Sequence, residues 1–215
     1  MDVAVAGGHG KIGLRLLRLL AERGDRARGL IRNADHAPDL EAVGAMAVGA
    51  DLENLDTDAI ARSIAGVDAV VFSAGAGPGS GPARKRTVDY GAAVKLIAAC
   101  QMNGIERYLI VSAMGVHDPA ARGPEMTPYY EAKLDADTEL AASGLDYTIV
   151  RPGRLTDDPG TGLVEAAPRL ERGGEIPRDD VAGTLLACLD DPGTVGKEFD
   201  LLSGETPIAE AIAAL

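Results

Sequence analysis

Residues 1–13, MDVAVAGGHGKIG, constrain the chain more than any other segment. Residues 3–6 are a short unbroken apolar run, the pattern of a strand buried on both faces, and residues 12–21 repeat their apolar side chains at helical spacing. Between them stand Gly7, Gly8, Gly10 and Gly13, readable as G-x-x-G-x-x-G or as G-x-G-x-x-G. A strand that turns at once into a helix needs one glycine at the corner, a second where backbone must touch a ligand, and a third where helix packs on strand. The N–H groups that open the helix then form an anion site. The loop Gly7, Gly8, His9, Gly10, Lys11, Ile12 and Gly13 is therefore expected to hold the pyrophosphate of a dinucleotide. A ligand-free glycine turn is the competing reading, and the matching strand and helix on either side count against it.

The remaining pattern alternates in the same way. Strands are expected at 27–31, 45–48, 69–73, 108–112, 147–150 and 197–202. Helices are expected at 56–64, at 83–103 after the loop GAGPGSGP (75–82), near 179–189 and from Pro207 onward. A further helix starts with Thr127 as N-cap and Pro128 in its first turn, runs to about Ser143 and stops at Gly144. Strands separated by helical crossovers imply an α/β protein of Rossmann type: a doubly wound, mostly parallel sheet with helices on both faces and ligands at the carboxyl ends of the strands. A chain of 215 residues suits a single domain, 1–215. The polar segments 113–127 and 153–178, rich in glycine and proline, would be loops forming a small substrate-side region, a lid that orders on binding.

Charge excludes some classes of partner. With 33 acidic and 21 basic residues the formal net charge is −12, which repels nucleic acid and anionic membrane surfaces. No segment resembles a secretory leader or a membrane span, so a cytoplasmic location is expected, as a monomer or small homo-oligomer with a small-molecule substrate. Cys100 and Cys188 fall in apolar helical patterns and read as buried free thiols. His9, His36 and His117 have no partner at metal-ligand spacing, and no metal is expected.

Several residues point to the rest of the cofactor and to chemistry. Arg32 ends the second strand, where a carboxylate would hold the ribose hydroxyls of NAD; a guanidinium there suits the 2′-phosphate of NADP. An ordinary exposed arginine with Asp35 nearby is the alternative, which leaves NAD open. Asp51 and Leu52 follow the third strand, where such folds meet the adenine, and Ser73, Ala74 and Gly75 end the fourth, where small residues let backbone approach a cofactor or simply turn. Tyr129 and Lys133 form Y-x-x-x-K, one turn apart on one helix face, and an ammonium beside a phenol lowers its pKa. Ser112, ending the central strand, could hydrogen-bond the same substrate oxygen. Arg84, Lys85 and Arg86 form a basic cluster that either meets a cofactor phosphate or is a solvated helix start.

Taken together, VAVAGGHGKIG (3–13), Arg32, Asp51, the Ser112 to Lys133 series and YTIVRPG (147–153) resemble the short-chain dehydrogenase/reductase superfamily. The likeness is greatest to its atypical NAD(P)-binding, epimerase/dehydratase-like branch, and extends to IPRDDVA (176–182) and LLSGETPIAEA (201–211). The resemblance implies that Gly7, Gly10, Lys11 and Ile12 surround the pyrophosphate, Arg32 the 2′-phosphate, Asp51 and Leu52 the adenine, and Ser73 to Gly75 the adjoining ribose. Tyr129 and Lys133 would hold the nicotinamide ribose and act in catalysis, with Pro152, Gly153 and Arg154 beside the nicotinamide. Where many superfamily members have an active-site asparagine, this chain has Asp89, as the atypical branch tends to; many of that branch also lack the tyrosine that this chain keeps. The implied function is an NADP-dependent oxidoreductase, or an epimerase or dehydratase working through transient oxidation. A non-catalytic NADP-binding redox sensor or a scaffold protein is the alternative.

Overall fold

The computed structural model describes residues 1–77 and 79–215; Pro78, in the loop expected at 75–82, lies outside them. The chain opens with strand β1 (Asp2–Ala6), helix α1 (Lys11–Arg23) and strand β2 (Arg26–Ile31). Ile12, Leu16, Leu17 and Leu20 recur every three or four residues, so α1 buries one stripe against the sheet. The helix stops at Gly24, whose φ of 89° turns its N–H back onto the Ala21 carbonyl.

Helix α2 (Ala37–Ala42), strand β3 (Met46–Gly49), helix α3 (Thr57–Ser63) and strand β4 (Ala69–Phe72) follow. Asp56 starts α3 by accepting the Ala59 N–H on its carboxylate. A helical run then passes from α4 (Gly81–Arg84) through a π-helical stretch (Lys85–Ala92) into α5 (Ala93–Asn103). Strand β5 (Arg107–Val111), helix α6 (Thr127–Ala141) and strand β6 (Asp146–Pro152) come next. The remainder comprises β7 (Arg154–Thr156), β8 (Leu163–Ala167), β9 (Glu175–Pro177), α7 (Arg178–Asp190), β10 (Lys197–Ser203), β11 (Thr206–Pro207) and α8 (Ile208–Ala213).

Nine strands form one sheet in the order β11-β8-β10-β6-β5-β4-β1-β2-β3, and β7 pairs with β9 apart from it. From β3 to β10 every neighbour is parallel, and only β8 runs antiparallel, to β10 and β11. Val3 of β1 lies opposite Ala27 on one side and Ala69 on the other. The chain winds away from β1 in both directions, so the crevice for a ligand opens at the carboxyl ends of β1 and β4. This is the Rossmann architecture expected from the alternation.

Two apolar layers cover the sheet. Val3 and Val5 face α1 and α7 with Leu16, Leu17, Val181 and Leu185, whereas Ala4 and Ala6 face α3 and α5 with Ile60, Leu96 and Ile97. Because both faces are buried, β4 reads AVVF without a polar residue. Leu16, Leu17 and Leu20 are wholly buried, and truncating any one of them to alanine costs about 2–5 kcal/mol.

Four local expectations are corrected. Met126, not Thr127, precedes the first turn of α6, and the Thr127 hydroxyl donates instead to the Gly123 carbonyl at 2.9 Å; the helix ends at Ala141 rather than Ser143. The helix expected at 83–103 begins at Gly81 and is π-helical in its middle. Segment 153–178 is not a plain loop, since it carries β7, β8 and β9 and is joined to the main sheet through β8. Segment 113–127 is a loop, with one short 3₁₀ turn at Ala120–Arg122. Cys100 and Cys188 are buried free thiols.

Candidate functional site

The glycines of the phosphate loop each answer to a particular neighbour. Gly7 turns the chain with φ of 80°, and a Cβ on it would stand 2.8 Å from the Ala74 Cα, so this loop touches the segment following β4. Gly8 packs on β2: a Cβ there would lie 2.7 Å from the Gly29 Cα, and its N–H donates to the Leu30 carbonyl at 3.1 Å. Gly10 donates to the Gly7 carbonyl at 2.8 Å, and a Cβ on Gly13 would reach that same oxygen at 2.3 Å. Helix α1 opens on Gly10 with no side-chain cap and no acidic residue in its first turn. No side-chain cap therefore competes with an anion for its first N–H groups.

A cavity of about 350 Å³ lies beside this loop, lined by Arg32, Asp51, Leu52, Ser73, Ala74 and Gly75 among others. Arg32 is exposed and has no ion-pair partner among the described residues. The Asp51 carboxylate shapes its own turn, accepting the Glu53 N–H at 3.1 Å and the Asn54 side-chain amide at 2.8 Å. The Ser73 hydroxyl is tied to the Ala6 carbonyl at 3.0 Å. His9 and His36 also line the cavity, their rings stacked at 3.6 Å, and His9 Nε2 bonds Asp39 at 2.7 Å. Sequence reasoning gave His36 no role; nothing in its spacing signals the stack.

Ser73, Ala74 and Gly75 are shared with a larger cavity of about 1770 Å³, which also receives Lys11, Ile12, Ser112, Tyr129 and Lys133. Tyr129, half-buried, and Lys133 stand one turn apart on α6, as their spacing requires. The Lys133 ammonium is almost completely enclosed: it donates to the Val111 carbonyl at 3.0 Å and lies 3.6 Å from Asp89 Oδ1. Asp89, in the π-helical stretch and only 1% exposed, also accepts the Ala76 N–H at 3.1 Å. One carboxylate thus fixes both the lysine and the segment following β4.

That pairing corrects the expectation that Lys133 lowers the phenol pKa. Burial, and after it the Asp89 carboxylate, raise the Tyr129 pKa above its ordinary value. Ser112 is corrected too. Its hydroxyl donates to Asp137 Oδ2 at 2.9 Å, and Arg151 Nε donates to the same oxygen at 3.1 Å while reaching Glu198 at 2.6 Å. Burial pushes the Asp137 carboxyl up to about 6, with Arg151 the largest opposing influence.

The last expected residues are pinned by backbone. The Pro152 carbonyl accepts the Met114 N–H at 3.0 Å, and Gly153 donates to the Leu201 carbonyl at 3.0 Å. A Cβ on Gly153 would stand 2.5 Å from the Gly174 carbonyl oxygen. Arg154 pairs with Glu175, and Lys11 with Asp157, which also binds Arg178 at 2.8 Å. The basic cluster divides: Arg84 goes to Glu53 beside the smaller cavity, Lys85 lines the larger one, and Arg86 meets Asp135. Arg122 and Tyr130 also line the larger cavity, and no spacing in the sequence marks them.

A glycine loop feeding an uncapped helix at the switch point of a parallel sheet defines a dinucleotide-binding protein of the Rossmann class. The chain belongs to the NAD(P)H-binding family, whose model matches residues 7–192. It is 45% identical to the "Uncharacterized sugar epimerase YhfK" of Bacillus subtilis, covering 100% of both chains. It is 37% identical to UPF0659 protein YMR090W of Saccharomyces cerevisiae, across 100% of this chain and 99% of that one. A solved Bacillus halodurans structure, provisionally described as an NAD-dependent epimerase/dehydratase, superposes with a TM-score of 0.94 at 39% identity over 100% of both chains. Among the described residues no helix is long and apolar enough to cross a membrane.

Proposed function

We propose that the chain is an NADP-dependent oxidoreductase of the atypical short-chain dehydrogenase/reductase type, working as one domain, that reduces a carbonyl group of a small molecule. The observation that carries this reading is that Tyr129 and Lys133 line the same cavity as Lys11 and Ile12 of the phosphate loop. The dinucleotide fits the residues present: backbone at Gly7 and Gly10 and the first turn of α1 hold its pyrophosphate, and the free Arg32 takes the 2′-phosphate. Asp51 and Leu52 flank the adenine, Gly75 admits the adjoining ribose, and Lys133 meets the second ribose beside Pro152, Gly153 and Arg154. When bound, the cofactor supplies hydride exchange at its nicotinamide ring.

The Tyr129 hydroxyl, on the wall of this cavity, is the group placed to give its proton to a carbonyl oxygen as that oxygen gains negative charge. Lys133, held by Asp89 and the Val111 carbonyl, orients this corner rather than ionising the phenol. In the oxidative direction the same Tyr129 oxygen would take the proton back. Run in both directions on one carbon, the same residues would invert a sugar hydroxyl, which is the activity that the name of the Bacillus subtilis relative carries.

The test is calorimetric titration with NADPH and NADH, followed by NADPH oxidation across aldehydes, ketones and keto-sugars. Tyr129→Phe keeps NADPH affinity and loses turnover by about 10²–10⁴-fold. Normal turnover in that variant removes Tyr129 from the chemistry. Tight NADPH binding with no turnover on any carbonyl or alcohol favours a redox sensor or scaffold instead.

A further inference from the structure

The larger cavity carries a charge at odds with the molecule around it. Acidic residues outnumber basic ones 33 to 21 in the chain, yet eight lysine and arginine side chains line this cavity against three carboxylates. Six of those eight are in ion-pair contact with a carboxylate. Among the described residues, Lys85 and Arg122 are not. Both flank the aromatic corner that holds Tyr129. The Lys85 ammonium lies 5.2 Å from the centre of the Tyr129 ring, and the Arg122 guanidinium 5.5 Å from that of Tyr130, while the two rings meet edge to face at 5.1 Å.

Arg122 is exposed and lies on the wall of this cavity. Its guanidinium lies over Gly115, where a Cβ would stand 1.7 Å from an Nη atom. The guanidinium makes no hydrogen bond among the described residues, which leaves its forked donors unused on the cavity wall. Lys85 uses one N–H on the Gly77 carbonyl at 2.7 Å and keeps two. Lys11 and Ile12 of the phosphate loop line the same cavity, so these two cations are tested with the pyrophosphate site already filled.

We propose that the substrate is a carbonyl compound bearing a carboxylate or phosphate group, gripped by the forked donors of Arg122, with Lys85 as the second cation, beside the Tyr129 hydroxyl. The proposal rests on the oxidoreductase reading and names its substrate class. A planar guanidinium binds two anionic oxygens at once, and a charged hydrogen bond of this kind changes affinity about ten- to a hundredfold.

The experiment uses protein saturated with NADPH, so that the pyrophosphate site is filled, and titrates it calorimetrically with two matched pairs: phenyl phosphate against phenol, and benzoate against benzyl alcohol. At least one anion binds tenfold or more tightly than its neutral partner, and the better of the two distinguishes a phosphate-bearing from a carboxylate-bearing substrate. Arg122→Gln abolishes the preference with NADPH affinity unchanged, and Arg122→Lys restores part of it. Equal affinity for anionic and neutral probes in the NADPH-loaded protein overturns the substrate class and leaves the cofactor reading standing. An anion preference that survives Arg122→Gln overturns the assignment of that residue. Failure of NADPH itself to bind removes the oxidoreductase reading, and this proposal with it.

Discussion

Arg32 offers the sharpest residue-scale prediction, because it is exposed at the mouth of the smaller cavity and has no ion-pair partner among the described residues. Arg32→Asp exchanges a cation that would grip a 2′-phosphate for an anion that repels it. Loss of a charged hydrogen bond costs about 1.5–3 kcal/mol, so NADP affinity falls about tenfold or more and the NADP-over-NAD order reverses. Calorimetric affinities for both cofactors, before and after the substitution, check it; equal affinities in the wild type refute the assignment. At this scale, residues placed by local rules were legible: the glycines at a strand-to-helix turn, Arg32 at a strand end, and Tyr129 with Lys133 one turn apart. Their partners were not. That Lys133 faces Asp89, or Ser112 faces Asp137, depends on how α6 packs on β5 and on the π-helical stretch, contacts that span 22 or more residues of sequence.

At the scale of elements, the opening strand, loop and helix are locked by backbone lying on backbone. A Cβ at Gly13 would come within 2.3 Å of the Gly7 carbonyl oxygen, so even Gly13→Ala forces α1 away from the loop. Overpacking of this kind costs about 1–3 kcal/mol, a fall in Tm of several degrees for a chain of this size, measured by calorimetry. An unchanged Tm would mean that α1 can slide without cost. The order of elements was legible because strands covered on both faces read as continuous apolar runs and helices by their three-and-four spacing. The strands of 154–177 were not: β7 and β9 have three residues each, too few for any period, and β8 is a strand because β10 offers it an edge. The π-helical stretch was equally hidden, since its side chains follow a helical pattern in either form.

For the whole molecule, stability against pH tests the buried network that ties α6 to the sheet. Asp137 on α6 holds Ser112 after β5 and Arg151 on β6, and Arg151 reaches Glu198 on β10. The second oxygen of Asp137, Oδ1, is buried without a hydrogen-bond partner among the described residues, consistent with burial raising the carboxyl from an ordinary 3.8 to about 6. Below about pH 4 the folded and unfolded chains both hold this proton. Between about pH 4 and 6 the folded chain keeps a proton that the unfolded chain has released, and above about 6 both have lost it. A folded state that binds more protons loses stability as pH rises through that window. The loss is a few kcal/mol, since each tenfold difference in proton affinity between the folded and unfolded chains corresponds to about 1.4 kcal/mol. Asp137→Asn cannot titrate, so whatever its stability at about pH 4, the wild type loses ground against it as pH rises to about 7. Urea denaturation of both proteins across that range measures the difference directly. A gap that stays constant with pH would mean that Asp137 is ionised throughout, and that Arg151 outweighs burial in setting its charge.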